Sequence, residues 1–387
     1  MSVCIVGWGH TAFGKRTDDD VESLTLEAAR AALADAGIGP ADIDEIVVGS
    51  TGLLADQAFP SSLPLQLDDA MRFKPSTNVE NACATGSAAI HQGMAAIRSG
   101  SARFVLVVGV EKMTGASGAE VAKGLLKASY AKEEAHIDGG FAGVFGLIAE
   151  SYFQRHGDKS DALAAIAAKN HRNGAKNPLA HFRKDLGYDF CRHRSEKNPQ
   201  VAGPLKRSDC SPVSDGAAAL VLTDVETALA MPKAVIFRAA SHVNDFLPMS
   251  KRDVVLLEGC GEAWARALDQ AGLSLDDLDF VETHDCFTMA ELLEYEAMGL
   301  ARRGEGAGAI LDGWTEVGGK LPVNPSGGLK SKGHPIGATG VSMHVMSAMQ
   351  VTGGAGDVQI EGATLAGIFN MGGVSVANYC SILEPIR

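Results

Sequence analysis

The sequence lacks three features that would place it at once in a broad class: a long apolar run, cysteines at metal-ligand spacing, and a positive net charge. Its longest apolar stretch, residues 104–110, contains a glycine and is far shorter than the roughly 18 residues of a membrane-spanning helix. The first residues, Met-Ser-Val-Cys-Ile-Val-Gly, have neither a basic segment nor a cleavage site, so no signal peptide is expected. The seven cysteines include no Cys-x-x-Cys pair, which argues against a zinc site and a disulfide framework.

The chain is acidic, with a formal net charge of −13 over 387 residues. Nucleic acids and anionic membranes attract positive surfaces, so neither is expected as a partner. With 46% apolar and 21% charged residues, the composition is that of a soluble globular protein large enough for several lobes, and we expect it in the cytoplasm.

One segment departs from this acidity. Residues 171–207 contain nine Lys or Arg and three acidic residues, a net charge of +6. This segment is either a solvated loop face or a binding site for a phosphorylated carrier. In the second case Arg183, Lys206 and Arg207 are candidate ligands of the phosphates.

The sequence also repeats itself. Residues 32–51 align without gaps on 267–286, and both predict a helix, a glycine C-cap, an Asp-x-Asp turn and a strand. Strands that alternate with helices predict an α/β fold with largely parallel sheets in two similar halves. The predicted units are a first half (1–115 and 212–245), an inserted loop domain (116–211) with helical periodicity at about 142–156 and 160–171, and a second half (246–387).

Four short motifs carry the residue types of a Cys/His reaction centre: Asn-Ala-Cys-Ala-Thr-Gly at 81–86, His-Asp-Cys-Phe at 284–287, Gly-His-Pro at 333–335 and Asn-Met-Gly-Gly at 370–373. Cys83 precedes a run of small residues, which predicts a nucleophile on the first turn of a helix, where free N–H groups favour a thiolate. The alternative for an isolated cysteine is simple burial in the core.

In this order the motifs resemble those of the thiolase superfamily, over essentially the whole chain. The sequence His-Asp-Cys-Phe, where common thiolases have Asn-Glu-Ala-Phe, is similar to the branch of the sterol-carrier-protein thiolases. The resemblance implies a five-layer α-β-α-β-α fold of two duplicated halves with an inserted loop domain, and a homodimer or homotetramer. It implies an enzyme of fatty acid metabolism that makes or cleaves 3-ketoacyl-CoA, with coenzyme A thioesters as substrates and no other cofactor or metal. Relatives in this branch can require a small OB-fold acyl-CoA-binding protein.

The resemblance also implies roles for the site residues. A thiol of pKa about 8.5 is only a few per cent ionised at neutral pH, and a helix N-terminus lowers the pKa by about one unit or less. Cys83 as nucleophile therefore needs His334 as base or ion-pair partner. His284 takes the place of the asparagine of a first oxyanion hole, and the backbone N–H groups of Cys83 and Gly372 form a second.

Claisen chemistry needs another acid/base group for the Cα proton. Common thiolases use a cysteine in a late Cys-x-Gly motif, and Asn370 stands at that position here. The resemblance therefore assigns the Cα proton to Cys286. Phe287, Asn324 and Met371 are predicted to line the acyl and pantetheine pocket.

Three other functions stay open at this stage. A decarboxylating ketosynthase shares the fold and uses Cys-His-His, but Cys286 and Pro335 favour a thiolase. A retro-aldol lyase on a hydroxyacyl-CoA is a second possibility, although the retained Cys83 weighs against it. The third is a catalytically idle or weak thiolase-like subunit that depends on the OB-fold partner.

Overall fold

The computed structural model describes residues 2–54 and 57–387. Within them the chain forms eleven β-strands: β1 Val3–His10, β2 Glu45–Gly49, β3 Ser76–Val79, β4 Val105–Glu111, β5 Gln200–Ala202, β6 Leu205–Lys206, β7 Gly216–Asp224, β8 Val235–Asn244, β9 Phe280–Glu282, β10 Ala366–Gly372 and β11 Ala377–Pro385. The α-helices are α1 Val21–Ala36, α2 Thr85–Ser99, α3 Gly118–Leu125, α4 Ala131–Glu134, α5 Gly140–His156, α6 Ser160–Lys176, α7 Tyr188–Arg192, α8 Val225–Ala228, α9 Glu258–Ala271, α10 Thr288–Ala297, α11 Gly306–Leu311, α12 Gly328–Lys332 and α13 Ile336–Val351. No helix in the described ranges is long and apolar enough to cross a membrane.

Nine strands join in the order β3-β2-β4-β7-β1-β8-β11-β10-β9. Within the described residues, strands β3-β2-β4-β7-β1 join strands β8-β11-β10-β9 only through β1 and β8, where two residue pairs are in register, Cys4 with Ile236 and Ile5 with Val235. The sheet therefore consists of two layers that share a narrow junction.

The expectation of largely parallel sheets is wrong. In the nine-stranded sheet of the described residues, only the pairings β2–β3, β2–β4 and β9–β10 are parallel, and the five others are antiparallel. Four residues, 373–376, connect β10 to β11, and a connection that short can join only antiparallel strands. Strand direction follows from such connections, which hydrophobic periodicity does not report.

Helices complete the five layers. Helix α1 packs on β1, β4 and β7, and α9 packs on β8 and β11. Helices α2 and α13 pack against each other between the two sheet layers, where α13 contacts β4 and β7 on one side and β10 and β11 on the other. The α-β-α-β-α arrangement that the resemblance implied is therefore present.

The internal repeat is confirmed in three dimensions. Helices α1 and α9 both end at a glycine with left-handed backbone, Gly37 at φ 72° and Gly272 at φ 67°, a conformation in which glycine avoids the steric cost of a Cβ. A short 3₁₀ turn follows each glycine, and β2 and β9 come next. In the predicted inserted loop domain, α5 and α6 lie where helical periodicity was found. The domain boundaries themselves stay predictions.

The two Ala-Thr-Gly sequences mark the place where the central helices cross. A Cβ on Gly86 would lie 2.7 Å from the backbone nitrogen of Val341, and a Cβ on Gly340 would lie 2.3 Å from that of Ser87. Only glycine permits this approach. The close crossing brings the N-termini of α2 and α13 together, and with them the loops that precede these helices.

Candidate active site

Cys83 lies in the loop before α2, one residue ahead of the N-cap Ala84. The prediction that it occupies the first helical turn is therefore slightly wrong. Ala82 has a left-handed backbone at φ 49°, which is uncommon for a residue with a Cβ. Cys83 follows this turn directly, and it lines two cavities while remaining only 7% exposed.

The structure brings Cys83 together with both predicted histidines. A ring nitrogen of His284, a ring nitrogen of His334 and the sulfur of Cys83 all lie within 4.8 Å of one another. The two rings are nearly perpendicular, with their centroids 5.1 Å apart. Thiolates and imidazoles also bind zinc, and among the described residues this is the only such group of His, Cys, Asp or Glu side chains.

All three groups are electrically neutral near pH 7. Burial lowers the pKa of His334 to about 3, and burial followed by the nearby His334 lowers the pKa of His284 well below its usual range. Burial raises the pKa of the Cys83 thiol to about 12. The Gly373 N–H opposes this rise, whereas the carboxylates of Glu111 and Glu80 add to it. The thiolate expected from the helix N-terminus is thus absent from the resting site, because desolvation outweighs that dipole. These shifts favour a neutral thiol, so His334 is placed to act as the base that removes the thiol proton during attack.

Each histidine is held by neighbours from other elements. His284 follows β9, and Nδ1 of its ring lies 2.9 Å from the side-chain nitrogen of Asn370 on β10. His334 lies in the loop before α13, and Nδ1 of its ring lies 2.6 Å from the hydroxyl of Thr339. Both rings are therefore fixed by a short contact at Nδ1.

Cys286 also lines the larger cavity, next to Cys83, and is 4% exposed. Burial, together with the nearby Cys83, raises the pKa of its thiol well above the usual range. The backbone carbonyl of Cys286 accepts a hydrogen bond of 2.9 Å from the N–H of Ser211. This hydrogen bond holds the backbone of Cys286 at the wall of the cavity. The raised pKa favours the neutral form of its thiol.

Gly372 lies where β10 ends, beside the nucleophile loop. A Cβ at this position would lie 2.4 Å from the carbonyl oxygen of Asn81, so the close approach requires glycine. The backbone N–H that reaches the sulfur of Cys83 belongs to the next residue, Gly373. The role of the Gly372 N–H in an oxyanion hole stays a prediction.

Two cavities meet at Cys83. The larger, of about 680 Å³, also contains Cys286, Phe287 and His334, and its wall includes the cationic side chains of Lys15, Arg207 and Lys330. The smaller, of about 280 Å³, combines apolar side chains, among them Leu53, Leu125 and Phe141, with the charged residues Glu80 and Lys127. The nucleophile thus lies where a larger cavity with several cationic residues in its wall meets a smaller cavity of mixed character. The prediction that Phe287 lines the pocket agrees with this geometry.

Four predicted substrate-binding residues line neither of these two cavities. Asn324 is fully buried and accepts a hydrogen bond of 2.8 Å from the backbone N–H of Thr283, so it holds the end of β9 instead of lining a cavity. Met371 is buried in the core because side chains alternate along β10, and Asn370 faces the site. Lys206 is buried and paired with Asp209 at 3.0 Å. Arg183 is exposed and does not line either cavity.

Sequence reasoning missed two buried carboxylates that hold the site. Asp285 accepts hydrogen bonds from the backbone N–H groups of Leu329 and Lys330 and from the side chain of Asn170. Burial, and then the charge of Glu291, raises its pKa to about 7. Its position between His284 and Cys286 was the available signal.

The second is Glu111, at the end of β4. It accepts from the Thr51 backbone and hydroxyl groups and from the N–H of Gly337 at 3.0 Å. This carboxylate ties the end of the first-half sheet to the N-terminus of α13, and therefore to the loop that carries His334.

Comparison with known proteins agrees with this geometry. The family model described as the N-terminal domain of thiolase matches residues 3–226, and the model described as thiolase C-terminal domain-like matches residues 241–385. The chain is 35% identical over 375 residues to an acetyl-CoA acetyltransferase of Methanothermobacter thermautotrophicus, with 96% of each chain covered. It is 34% identical to sterol carrier protein 2 of Homo sapiens, over 96% of this chain and 70% of that protein.

Among solved structures, the chain is similar to one in a structure titled Ltp2-ChsH2(DUF35) aldolase, with a TM-score of 0.84 and 22% identity over 100% of this chain and 98% of that chain. At this identity the likeness shows a shared fold. Two family models together span nearly the whole sequence, and they do so over the same motifs that meet at Cys83. The chain therefore belongs to the thiolase family.

Proposed function

We propose that this chain, an acyl-CoA C-acyltransferase by its family, makes or cleaves 3-ketoacyl-CoA by ping-pong Claisen chemistry through a thioester on Cys83. One observation supports this most: the sulfur of Cys83 lies within 4.8 Å of a nitrogen of each imidazole, at the wall of a chamber of about 680 Å³. A neutral thiol beside a neutral imidazole is ready for base-assisted attack on a carbonyl carbon.

In the degradative direction, the Cys83 sulfur bonds to the 3-keto carbon while its proton passes to His334. The oxygen of the tetrahedral intermediate is stabilised by N–H donors, for which His284 and the backbone near Cys83 and Gly372 are the candidates. The Cα–Cβ bond then breaks. Its electron pair goes to Cα, which takes a proton and leaves as acetyl-CoA, and the acyl group stays on Cys83.

The proton for Cα comes from Cys286 in this proposal. Asn370 occupies the strand position of the second cysteine in common thiolases, and an amide cannot serve as acid or base. Cys210 and Cys286 both line the same cavity, and Cys286 is the thiol close enough to Cys83 for the two sulfur groups to influence each other. In the second half of the reaction, the thiol of CoA attacks the acyl thioester, returns a proton to the enzyme and releases the shortened acyl-CoA.

Coenzyme A thioesters are the substrates in this proposal, and no further cofactor is needed. Arg207 and Lys15, both exposed and both in the wall of the larger cavity, are placed to bind CoA phosphates. The acyl group would lie against the apolar side chains Leu125 and Phe141, which line both cavities. Arg183 remains a weaker candidate for phosphate binding, from the same positively charged segment.

We also propose a homodimer or homotetramer. Strand β3 is hydrogen-bonded to β2 on one side only, and an open edge of this kind is normally covered. Near it in sequence, Phe59 and Phe73 are 76% and 87% exposed. A small OB-fold acyl-CoA-binding protein is a further candidate partner, and the DUF35 assembly named for the similar aldolase structure supports testing it. We place the enzyme in cytoplasmic fatty acid metabolism.

The test combines turnover with detection of the covalent intermediate. The chain is incubated with a panel of 3-ketoacyl-CoAs and CoA, thiolysis is followed at the disappearance of the 3-keto thioester, and intact mass reports acyl adducts. The proposal is supported if the wild type shows both thiolysis and an acyl adduct, and if both are lost in Cys83→Ser.

Other outcomes select among the alternatives. Condensation that strictly requires a malonyl donor would identify a ketosynthase, and cleavage of hydroxyacyl-CoA without an adduct would identify a lyase. A chain that never forms an adduct alone, but turns over when an OB-fold protein is added, would establish the dependent subunit. Light scattering after size-exclusion chromatography reports the oligomeric state.

A further inference from the structure

His284 and His334 both lie close to the sulfur of Cys83, but the function proposed above, on which this inference rests, requires opposite roles of the two rings. One must donate a hydrogen bond to an oxyanion, and the other must accept a proton. Burial keeps both rings neutral near pH 7, so each carries one N–H, on either Nδ1 or Nε2. Which nitrogen carries it decides whether a ring is a donor or a base at the sulfur.

The side chain of Asn370 determines which ring nitrogen of His284 carries the hydrogen. Its nitrogen lies 3.1 Å from the backbone carbonyl oxygen of Cys83, and its oxygen lies 2.7 Å from the hydroxyl of Ser87. A carbonyl oxygen can only accept, so the amide nitrogen must be the atom that faces Cys83. The opposite amide orientation would set two oxygens against each other.

The same amide nitrogen lies 2.9 Å from Nδ1 of His284. Because that nitrogen is a donor, Nδ1 must accept and cannot itself carry hydrogen. The proton of the ring is therefore on Nε2. His284 is held as a hydrogen-bond donor at its far nitrogen.

Thr339 favours the opposite form of His334. Its hydroxyl oxygen lies 2.6 Å from Nδ1 of the ring and 2.9 Å from the carbonyl oxygen of Pro335, one helical turn back. A hydroxyl has a single hydrogen. When the hydroxyl donates to Pro335, which can only accept, its lone pair faces Nδ1 and the ring must donate there. The lone pair of Nε2 is then free to take a proton.

We propose that Asn370 and Thr339 hold the two imidazoles in opposite tautomers, His284 with hydrogen on Nε2 and His334 with hydrogen on Nδ1. This makes His284 a fixed oxyanion donor and His334 a fixed base. Asn370 and Thr339 are positioning residues, since they act through the rings. Asn370 stands at the position of the second cysteine in common thiolases. In this site it sets the tautomer of His284, which itself stands where common thiolases have an asparagine.

Nitrogen-15 NMR of the full chain labelled at histidine tests this proposal without turnover. Long-range proton–nitrogen spectra distinguish the two neutral tautomers, and loss of signals in His284→Asn and His334→Gln assigns the two rings. The wild type should show His284 protonated on Nε2 and His334 protonated on Nδ1. The same tautomer in both rings, or the reverse assignment, overturns the proposal whatever the variants do.

Asn370→Asp supplies the sharpest variant, because aspartate has nearly the same shape but can only accept. We expect the His284 proton to move to Nδ1, and acyl transfer to Cys83 to fall by roughly 10²–10³ in kcat, the loss typical of one oxyanion donor, with KM little changed. Ser87→Ala is the matched control, since it removes the hydrogen bond that the oxygen of the same amide accepts and should leave the His284 tautomer unchanged.

For the second ring, Thr339→Val removes the acceptor at Nδ1 and should shift His334 toward hydrogen on Nε2, while Thr339→Ser should restore the wild-type spectrum. A folded Asn370→Asp or Thr339→Val protein with unaltered histidine signals would refute the corresponding half. Failure of the proposed function is seen separately: the tautomers would be as stated, but no 3-ketoacyl-CoA would form an adduct.

Discussion

The alkylation rate of Cys83 should rise about tenfold for each pH unit from pH 7 to pH 10, without reaching a plateau. Burial, reinforced by Glu111 and Glu80, raises the pKa of this thiol to about 12. Since only the thiolate reacts appreciably with an alkylating reagent, the rate follows the ionised fraction. At pH 7 that fraction is roughly 10⁻⁵, against roughly 3% for an ordinary thiol of pKa about 8.5.

The magnitude follows from this ratio. At pH 7 Cys83 should react with iodoacetamide roughly 10³-fold more slowly than a free thiol such as glutathione, before any steric effect of the cavity is counted. The slope with pH is the stronger test, because steric hindrance lowers the rate at every pH by the same factor. Peptide mapping after timed quenching gives the rate at residue 83, and Cys83→Ser supplies the background from the other cysteines.

The opposite outcome is well defined. A rate that is already constant between pH 6 and pH 8, or faster than that of glutathione at pH 7, would reveal a preformed thiolate–imidazolium pair. The conclusion that His334 acts as a base only during attack would then be wrong. The sign is unambiguous: a raised thiol pKa removes reactivity at neutral pH and restores it as pH rises.

The remaining predictions concern the acid/base thiol, the cationic wall and a buried carboxylate. Cys286→Ala should leave acylation of Cys83 within a few-fold of wild type while thiolysis and condensation collapse, and near-normal turnover in this variant would place the Cα acid/base elsewhere. Arg207→Glu should raise KM for CoA substrates about tenfold, with the loss reduced at high salt, whereas the matched Arg183→Glu should change KM less than twofold, and equal effects would contradict the assignment. Because burial raises the folded-state pKa of Asp285 to about 7, above about 3.9 in the unfolded chain, the protonated form stabilises the fold at low pH, and this contribution is lost as pH rises from about 4 through about 7. Urea unfolding at pH 5 and pH 8 should show a stability loss in the wild type that is smaller by up to about 3 kcal/mol in Asp285→Asn, and identical pH dependence of the two proteins would show that Asp285 does not titrate in this range.

Particular residues show why some parts of the site can be predicted from the sequence and others cannot. Cys83, His284 and His334 could be found because a nucleophile and two imidazoles in short motifs are rare, and the motifs were matched as a set. Phe287 was found because it adjoins His284 and Cys286. Neighbours in sequence stay neighbours in space.

The predicted substrate contacts of Asn324 and Lys206 differ from the structure because the positions of these side chains depend on residues distant in sequence. Both are polar, and sequence alone gives no reason to bury them. In the fold, Asn324 completes the end of β9 and Lys206 pairs with Asp209, contacts that exist only once distant segments are packed. Met371 does not line the pocket because side chains alternate along β10, and Asn370 is the residue whose side chain contacts His284.

The sequence by itself determined the duplicated α/β units, their glycine caps and the set of reactive groups, since these depend on local periodicity, backbone preference and residue chemistry. Only the tertiary structure decided the strand directions, the protonation of Cys83 and the tautomers of His284 and His334. Those properties depend on desolvation and on hydrogen-bond partners such as Asn370 and Thr339, which long-range packing or helical geometry places within 3 Å. The burial of the sulfur, and with it the need for a base at the moment of attack, arises from the closing of two halves around one pair of helices.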